Sequence, residues 1–158
     1  MERKNVWKEY TKKELKELER LNKDYRGFLD AGKTERECAL ESVKMAEKAG
    51  YRNLKEIISS GGSLQAGDKV YAVNMKKSVV LFQIGRQPLE KGMAILGAHI
   101  DSPRMDIKQN PLYEDTELAY LDTHYYGGIK KYQWVTLPLA IHGVFVKKNG
   151  EVTEVCIG

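Results

Sequence analysis

His99 and Asp101 are the residues of this chain whose types and spacing best suit chemistry. They close the stretch Met93-Ala94-Ile95-Leu96-Gly97-Ala98-His99-Ile100-Asp101-Ser102-Pro103. An apolar run bounded by Gly92 and Pro103 predicts a buried strand, because strands covered on both faces lose their alternation. The pair then lies at the strand's carboxyl end, where open α/β sheets hold their ligands. Side chains two apart on a strand share a face. A carboxylate on the histidine's own face orients the ring and raises its basicity, as the outer partner of a metal-bound imidazole does. A hydrogen-bonded core histidine fits the same residue types, so these alone leave both readings open.

The other chemical candidates carry less. Cys38 falls on the inner stripe of a predicted helix with nothing basic at helical reach, which reads as core and not as a nucleophile. The loop Ser59-Ser60-Gly61-Gly62-Ser63 is followed by no helix signal and no Gly-Lys-Ser/Thr, so a phosphate cradle is not indicated. Tyr126, Lys130, Lys131 and Tyr132 have the chemistry to stack bases, but one short cluster without a wider basic surface reads as packing. His124 precedes two tyrosines and a Gly-Gly, where it either reaches toward a substrate across a subunit interface or anchors the loop, the second being favoured. His142 reads as a packed or edge histidine in a β segment.

Composition bounds the function classes. The 158 residues suffice for one domain of ordinary size, and 42% hydrophobic with 30% charged residues is normal for a globular protein. The net charge of +4 comes from Lys and Arg interleaved with Glu, without the concentrated footprint of a nucleic-acid partner. Cys38 and Cys156 have no metal-type spacing and fit a reducing compartment. No signal-type apolar segment and no membrane-length run occurs, so a cytoplasmic protein with no membrane partner is expected.

The elements that must position the pair follow from periodicity. Apolar residues at Trp7, Tyr10, Leu18, Leu21, Tyr25 and Phe28 describe one helical face, with Thr11 and Glu14 as a capping box and Gly32 closing the segment. Thr34 and Glu37 predict a second box and a helix to Ala49, with Cys38, Ala39, Val43, Ala46 and Ala49 inward and Gly50 just past its end. Leu54 to Ile58 form a short turn. Lys69–Asn74 and Ser78–Ile84 predict a hairpin. After Pro103, Arg104 to Pro111 alternates as a short strand ending in a turn at Asn110-Pro111, and Leu118 to Leu121 is a candidate strand. His124 to Ile129 reads as a loop, and Trp134 to Val146 as a β-rich segment interrupted by Pro138. Asn149-Gly150 marks a final hairpin between Val144–Val146 and Val152–Ile157.

Taken together, Gly97-Ala98-His99-Ile100-Asp101-Ser102-Pro103-Arg104-Met105-Asp106-Ile107-Lys108 and Thr123-His124-Tyr125-Tyr126-Gly127-Gly128-Ile129-Lys130-Lys131-Tyr132 resemble the aspartyl aminopeptidase / vacuolar aminopeptidase I family of co-catalytic zinc aminopeptidases. The resemblance extends from Glu2-Arg3-Lys4-Asn5-Val6-Trp7 through Leu137-Pro138-Leu139-Ala140-Ile141-His142-Gly143-Val144 to the chain end. It implies an α/β fold: the N-terminal part of a three-layer zinc-exopeptidase-like catalytic domain over 1–111, then the truncated start of an inserted β-rich dimerisation domain over 112–158. It implies a metalloaminopeptidase that hydrolyses N-terminal residues from peptides through a water activated by two metals. Two zinc ions per active site are implied, with cobalt or manganese as substitutes, and a dodecamer for the full-length enzyme. Carried over residue by residue, His99 is a terminal zinc ligand and Asp101 the carboxylate that orients the metal-site imidazole, while Ser102, Pro103 and Arg104 shape the strand exit. The bridging aspartate, the Glu-Glu pair and the last histidine of such a site have no counterpart here, so the chain matches an N-terminal third and is expected to be inactive alone. The alternative is a non-catalytic assembly or interaction module.

Overall fold

Two threonines start the helices of the first unit. The computed structural model describes residues 4–158, so Glu2 and Arg3 of the N-terminal motif lie outside the described residues. Thr11 caps α1 (Lys12–Ala31) and Thr34 caps α2 (Glu35–Lys48), each in a full capping box with the glutamate three residues on. The Thr11 amide donates to Glu14 Oε2 at 2.7 Å and the Thr34 amide to Glu37 Oε2 at 2.8 Å. These bonds satisfy N–H groups that a helix start otherwise leaves open. Gly32 ends α1 as expected. Its lack of a side chain matters, because a Cβ there would lie 2.6 Å from Cys38 Sγ.

A small mixed sheet completes this unit. β1 (Arg52–Asn53) runs parallel to β2 (Lys69–Asn74), which pairs antiparallel with β3 (Ser78–Gln83). The short helix α3 (Leu54–Ser59) links β1 to the loop before β2. α2 packs on β2 and β3, and among the described residues the buried apolar ones are Cys38, Ala39 and Ala46 from α2 with Val70 and Tyr71 from β2. The Tyr71 hydroxyl donates to Glu47 Oε1 at 2.7 Å. Two expectations need narrowing. Val43 is half-buried and Ala49 exposed, so the inner stripe of α2 is shorter than its periodicity suggests. The apolar face of α1 is also mostly exposed, with Leu18 and Phe28 half-buried, because α2 is the element packed against it and covers only part of its length.

The chain divides into two compact units at Leu96/Gly97. The second holds two hairpins in separate two-stranded sheets, β4 (Arg104–Asp115) with β5 (Leu118–Tyr126), and β6 (Ile141–Val146) with β7 (Val152–Ile157). Asn149-Gly150 turns the second hairpin as predicted, with Gly150 at φ +85°. A single helical turn, α4 (Lys131–Trp134), replaces the start of the β segment expected from Trp134, and the strand begins only after Pro138, at Ile141.

The first hairpin differs from expectation. The chain does not turn at Asn110-Pro111. It runs on to Asp115 and reverses at Thr116-Glu117, both at positive φ (51° and 63°), the two-residue geometry that suits strand twist. Asn110-Pro111 instead lies in an irregular stretch, where Lys108, Gln109, Asn110 and Pro111 face the single residue Asp122. That is where a residue without an N–H does no harm to a ladder. His124, Tyr125 and Tyr126 belong to β5, and the loop begins only at Gly127. Tyr113 and Tyr120, directly paired, stack with centroids 5.2 Å apart.

The predicted strand over Met93–Ala98 is also corrected. Residues 92–103 have no regular structure, and Met93, Ile95 and Leu96 are 55%, 80% and 100% exposed. A strand is defined by its neighbours, and no strand among the described residues pairs with this run. No helix among the described residues is long and apolar enough to cross a membrane.

Candidate functional site

Asp101 follows His99 on an extended, unladdered segment, yet the two side chains meet. His99 Nδ1 lies 3.1 Å from Asp101 Oδ1 and 3.0 Å from the Asp101 backbone oxygen. Both partners are acceptors when the aspartate is ionised, so Nδ1 carries the proton and donates. In the neutral ring this leaves the Nε2 lone pair free, the form in which imidazole binds a metal. The His99 side chain is 84% exposed, so no packing blocks that nitrogen.

Asp101 is held from the other side as well. Its Oδ2 accepts the Tyr126 hydroxyl at 2.7 Å. That hydroxyl first, and then the residue's own backbone amide, keep the Asp101 carboxyl below the usual aspartate range against the opposing effect of burial, with a lesser lowering from the nearby His99. Arg104 opens β4 beside this pair. Its Nε donates to Asp106 Oδ1 at 2.7 Å, and its guanidinium lies 4.2 Å from the centroid of the Tyr126 ring. A guanidinium over a ring face at that distance is attracted by the ring quadrupole. A further N–H of Arg104 reaches Ser102 O at 3.4 Å, so Ser102 and Arg104 act together at the exit from the segment.

As a metal centre the arrangement is partial. Tetrahedral zinc takes three or four protein ligands, and no group of three His, Cys, Asp or Glu suited to a metal occurs among the described residues. The donor chemistry fits one position of such a site: an imidazole whose second nitrogen is tied to a carboxylate. The other histidines lie elsewhere in the hairpins. His124 is opposite Asp106 in the ladder, with Nδ1 3.1 Å from Tyr125 O. His142 is opposite Cys156, with Nε2 3.9 Å from its Sγ. Tyr126 is the residue that motif reading missed. Only the β4–β5 register, which sets Tyr126 against Arg104, brings it to Asp101.

Comparison with known proteins gives the family and the share of it that the chain covers. The sequence pattern of the family described as aminopeptidase I zinc metalloprotease (M18) matches residues 28–157. A probable M18 family aminopeptidase 1 of Clostridium acetobutylicum is 60% identical over 157 residues, which are 99% of this chain and 34% of the relative. The crystal structure of aminopeptidase I from Clostridium acetobutylicum matches with a TM-score of 0.84 at 60% identity, covering 100% of this chain and 35% of that one. The crystal structure of aminopeptidase I from Borrelia burgdorferi B31 matches with a TM-score of 0.90 at 40% identity, covering 98% and 37%. The chain therefore spans about a third of the length of the relatives it matches.

Proposed function

The chain belongs to the M18 family of aminopeptidase I zinc metalloproteases, and we propose that it forms the N-terminal part of a metal-dependent aminopeptidase that removes N-terminal residues from peptides. The observation that carries this reading is the bond from His99 Nδ1 to Asp101, which leaves Nε2 outward as a metal-binding nitrogen. His99 is assigned as a zinc ligand and Asp101 as the carboxylate that orients it. Zinc, when bound, supplies Lewis acidity toward the scissile carbonyl. The full enzyme is assigned two zinc ions per site, replaceable by cobalt or manganese, a dodecameric assembly and a cytoplasmic location. Residues 1–111 are assigned to the catalytic domain and 112–158 to the start of an inserted β-rich dimerisation domain.

A second reading, an assembly or interaction module, is favoured by the exposed apolar side chains of the second unit, among them Leu112, Phe145, Val146 and Ile157. The two readings separate in one experiment. Residues 1–158 are joined to the remaining two thirds of the Clostridium acetobutylicum relative, and hydrolysis of aminoacyl p-nitroanilides is followed with zinc. The chimera is expected to turn over, and the 158-residue chain alone is not. His99→Ala in the chimera is expected to abolish turnover. A folded chimera whose activity survives His99→Ala overturns the metal-ligand assignment and leaves the assembly reading.

A further inference from the structure

The segment that carries His99 and Asp101 has no ladder of its own, so its geometry depends on contacts made from elsewhere. The end of β5 supplies them. The Tyr126 hydroxyl donates to Asp101 Oδ2 at 2.7 Å, the Arg104 guanidinium covers the Tyr126 ring at 4.2 Å, and Gly127, at φ +73°, approaches Pro103 so closely that a Cβ would lie 3.4 Å away. We propose that Tyr126 is a positioning residue for the candidate metal site: its hydroxyl fixes the Asp101 carboxylate so that the second oxygen faces His99 Nδ1 and keeps Nε2 open. This rests on the assignment of His99 as a zinc ligand and extends it to a residue outside the His-x-Asp motif.

What the hydroxyl removes is rotational freedom of the carboxylate. The terminal torsion of an aspartate is broad and roughly two-fold, so one acceptor contact does not fix the carboxylate plane. Two donors on opposite oxygens do, and here they are His99 Nδ1 and the Tyr126 hydroxyl. Arg104 over the ring holds the tyrosine in turn, and the Arg104–Tyr126 register pair ties both to the same rung of the ladder. The Asp101 backbone oxygen, 3.0 Å from Nδ1, remains an acceptor whatever the carboxylate does. Loss of the hydroxyl therefore weakens the tautomer preference and does not abolish it.

Tyr126→Phe removes the hydroxyl and keeps the ring under Arg104. The His99 tautomer is read from imidazole ¹⁵N shifts of the 158-residue chain in dilute solution, at about pH 8.5, where an ordinary histidine is neutral. The unaltered chain is expected to hold the Nδ1–H form, and Tyr126→Phe to raise the Nε2–H share at least about twofold. In the chimera the same change is expected to lower kcat/KM about tenfold, the low end for losing an outer partner of a metal ligand, with the loss in kcat. A ring whose contribution is only packing would leave the tautomer unmoved, and an unmoved tautomer overturns the proposal whatever the activity does. If Phe at this position disturbs the hairpin amide shifts, Asp101→Ala is the second arm. Both carboxylate oxygens are then gone, the same tautomer shift is expected, and its absence is equally decisive. Loss of turnover in His99→Ala with a silent Tyr126→Phe removes only the Tyr126 assignment, whereas turnover intact in His99→Ala removes the metal reading beneath it.

Discussion

Replacing Ile95 and Leu96 together by lysine is expected to convert a self-associating chain into a largely monomeric one. Both side chains stand 80% and 100% exposed on a segment that pairs with no strand among the described residues. Burying one such side chain fully is worth about 1.5–3 kcal/mol, so the two, weighted by their exposure, offer about 4 kcal/mol to a second molecule that covers them. At about 1.4 kcal/mol per decade this is roughly a thousandfold in association constant. It only reaches the low end of the roughly 4–15 kcal/mol translational and rotational cost of association. Self-association must therefore also recruit the free backbone groups of this run and of the hairpin edges, which template pairing. Sedimentation velocity over a range of concentration reads the outcome. The unaltered chain is expected to show a mean mass above the monomer that rises with concentration, and the double lysine variant to need at least about a hundredfold more protein for the same shift. A strictly monomeric unaltered chain at high concentration, with a cooperative thermal transition, refutes the reasoning and shows that the segment tolerates full exposure.

Three further outcomes are expected. Tyr71→Phe removes the bond to Glu47 and is expected to cost about 1 kcal/mol. That bond raises the Tyr71 phenol above its usual value of 10.0, so its stabilisation is complete below about pH 10 and is lost as pH rises through the raised folded value; thermal melts of the two proteins should converge at strongly alkaline pH, and an undiminished gap there contradicts the assignment. A thiol reagent is expected to label the exposed Cys156 in the native chain and Cys38 only in denaturant, because burial both hides the Cys38 thiol and pushes its pKa up; two fast-reacting thiols in the native chain go against this. Equilibrium dialysis of the 158-residue chain is expected to find only weak zinc binding, and stoichiometric zinc at submicromolar concentration that disappears in His99→Ala shows that a tight site exists after all.

What the sequence made legible was local. Thr11 with Glu14 and Thr34 with Glu37 meet within one helical turn, and both boxes form. Asn149-Gly150 carries its turn geometry in its own residue types, and the β6–β7 hairpin follows. His99 and Asp101 are near neighbours, and their contact follows from two residues of separation. The contact between Tyr126 and Asp101 spans 25 residues and depends on where β4 turns back. That turn uses Thr116 and Glu117, neither of which favours positive φ, while Asn110-Pro111, a strong turn signal, stays within the strand. The run Met93–Ala98 failed for a different reason: an apolar segment announces that it is to be covered, but pairing is a property of the neighbour, and periodicity does not contain the neighbour.

The interruption in the β4–β5 ladder sets how long the candidate site stays assembled. Closure from Thr116-Glu117 joins Asp115 to Leu118 first and Arg104 to Tyr126 last, within the roughly 1–10 µs that hairpins take. The stretch of residues 108–111 opposite Asp122 splits the zipper into a turn-side half and a half of four paired positions, Arg104–Ile107 with Thr123–Tyr126. The second half, farther from the turn, is expected to fray more readily than the first, as cooperative units of unequal stability do. Each fraying event withdraws the Tyr126 hydroxyl from Asp101, so the aim of the His99 imidazole has a lifetime of its own, set by four rungs of ladder and read by amide exchange along Thr123–Tyr126.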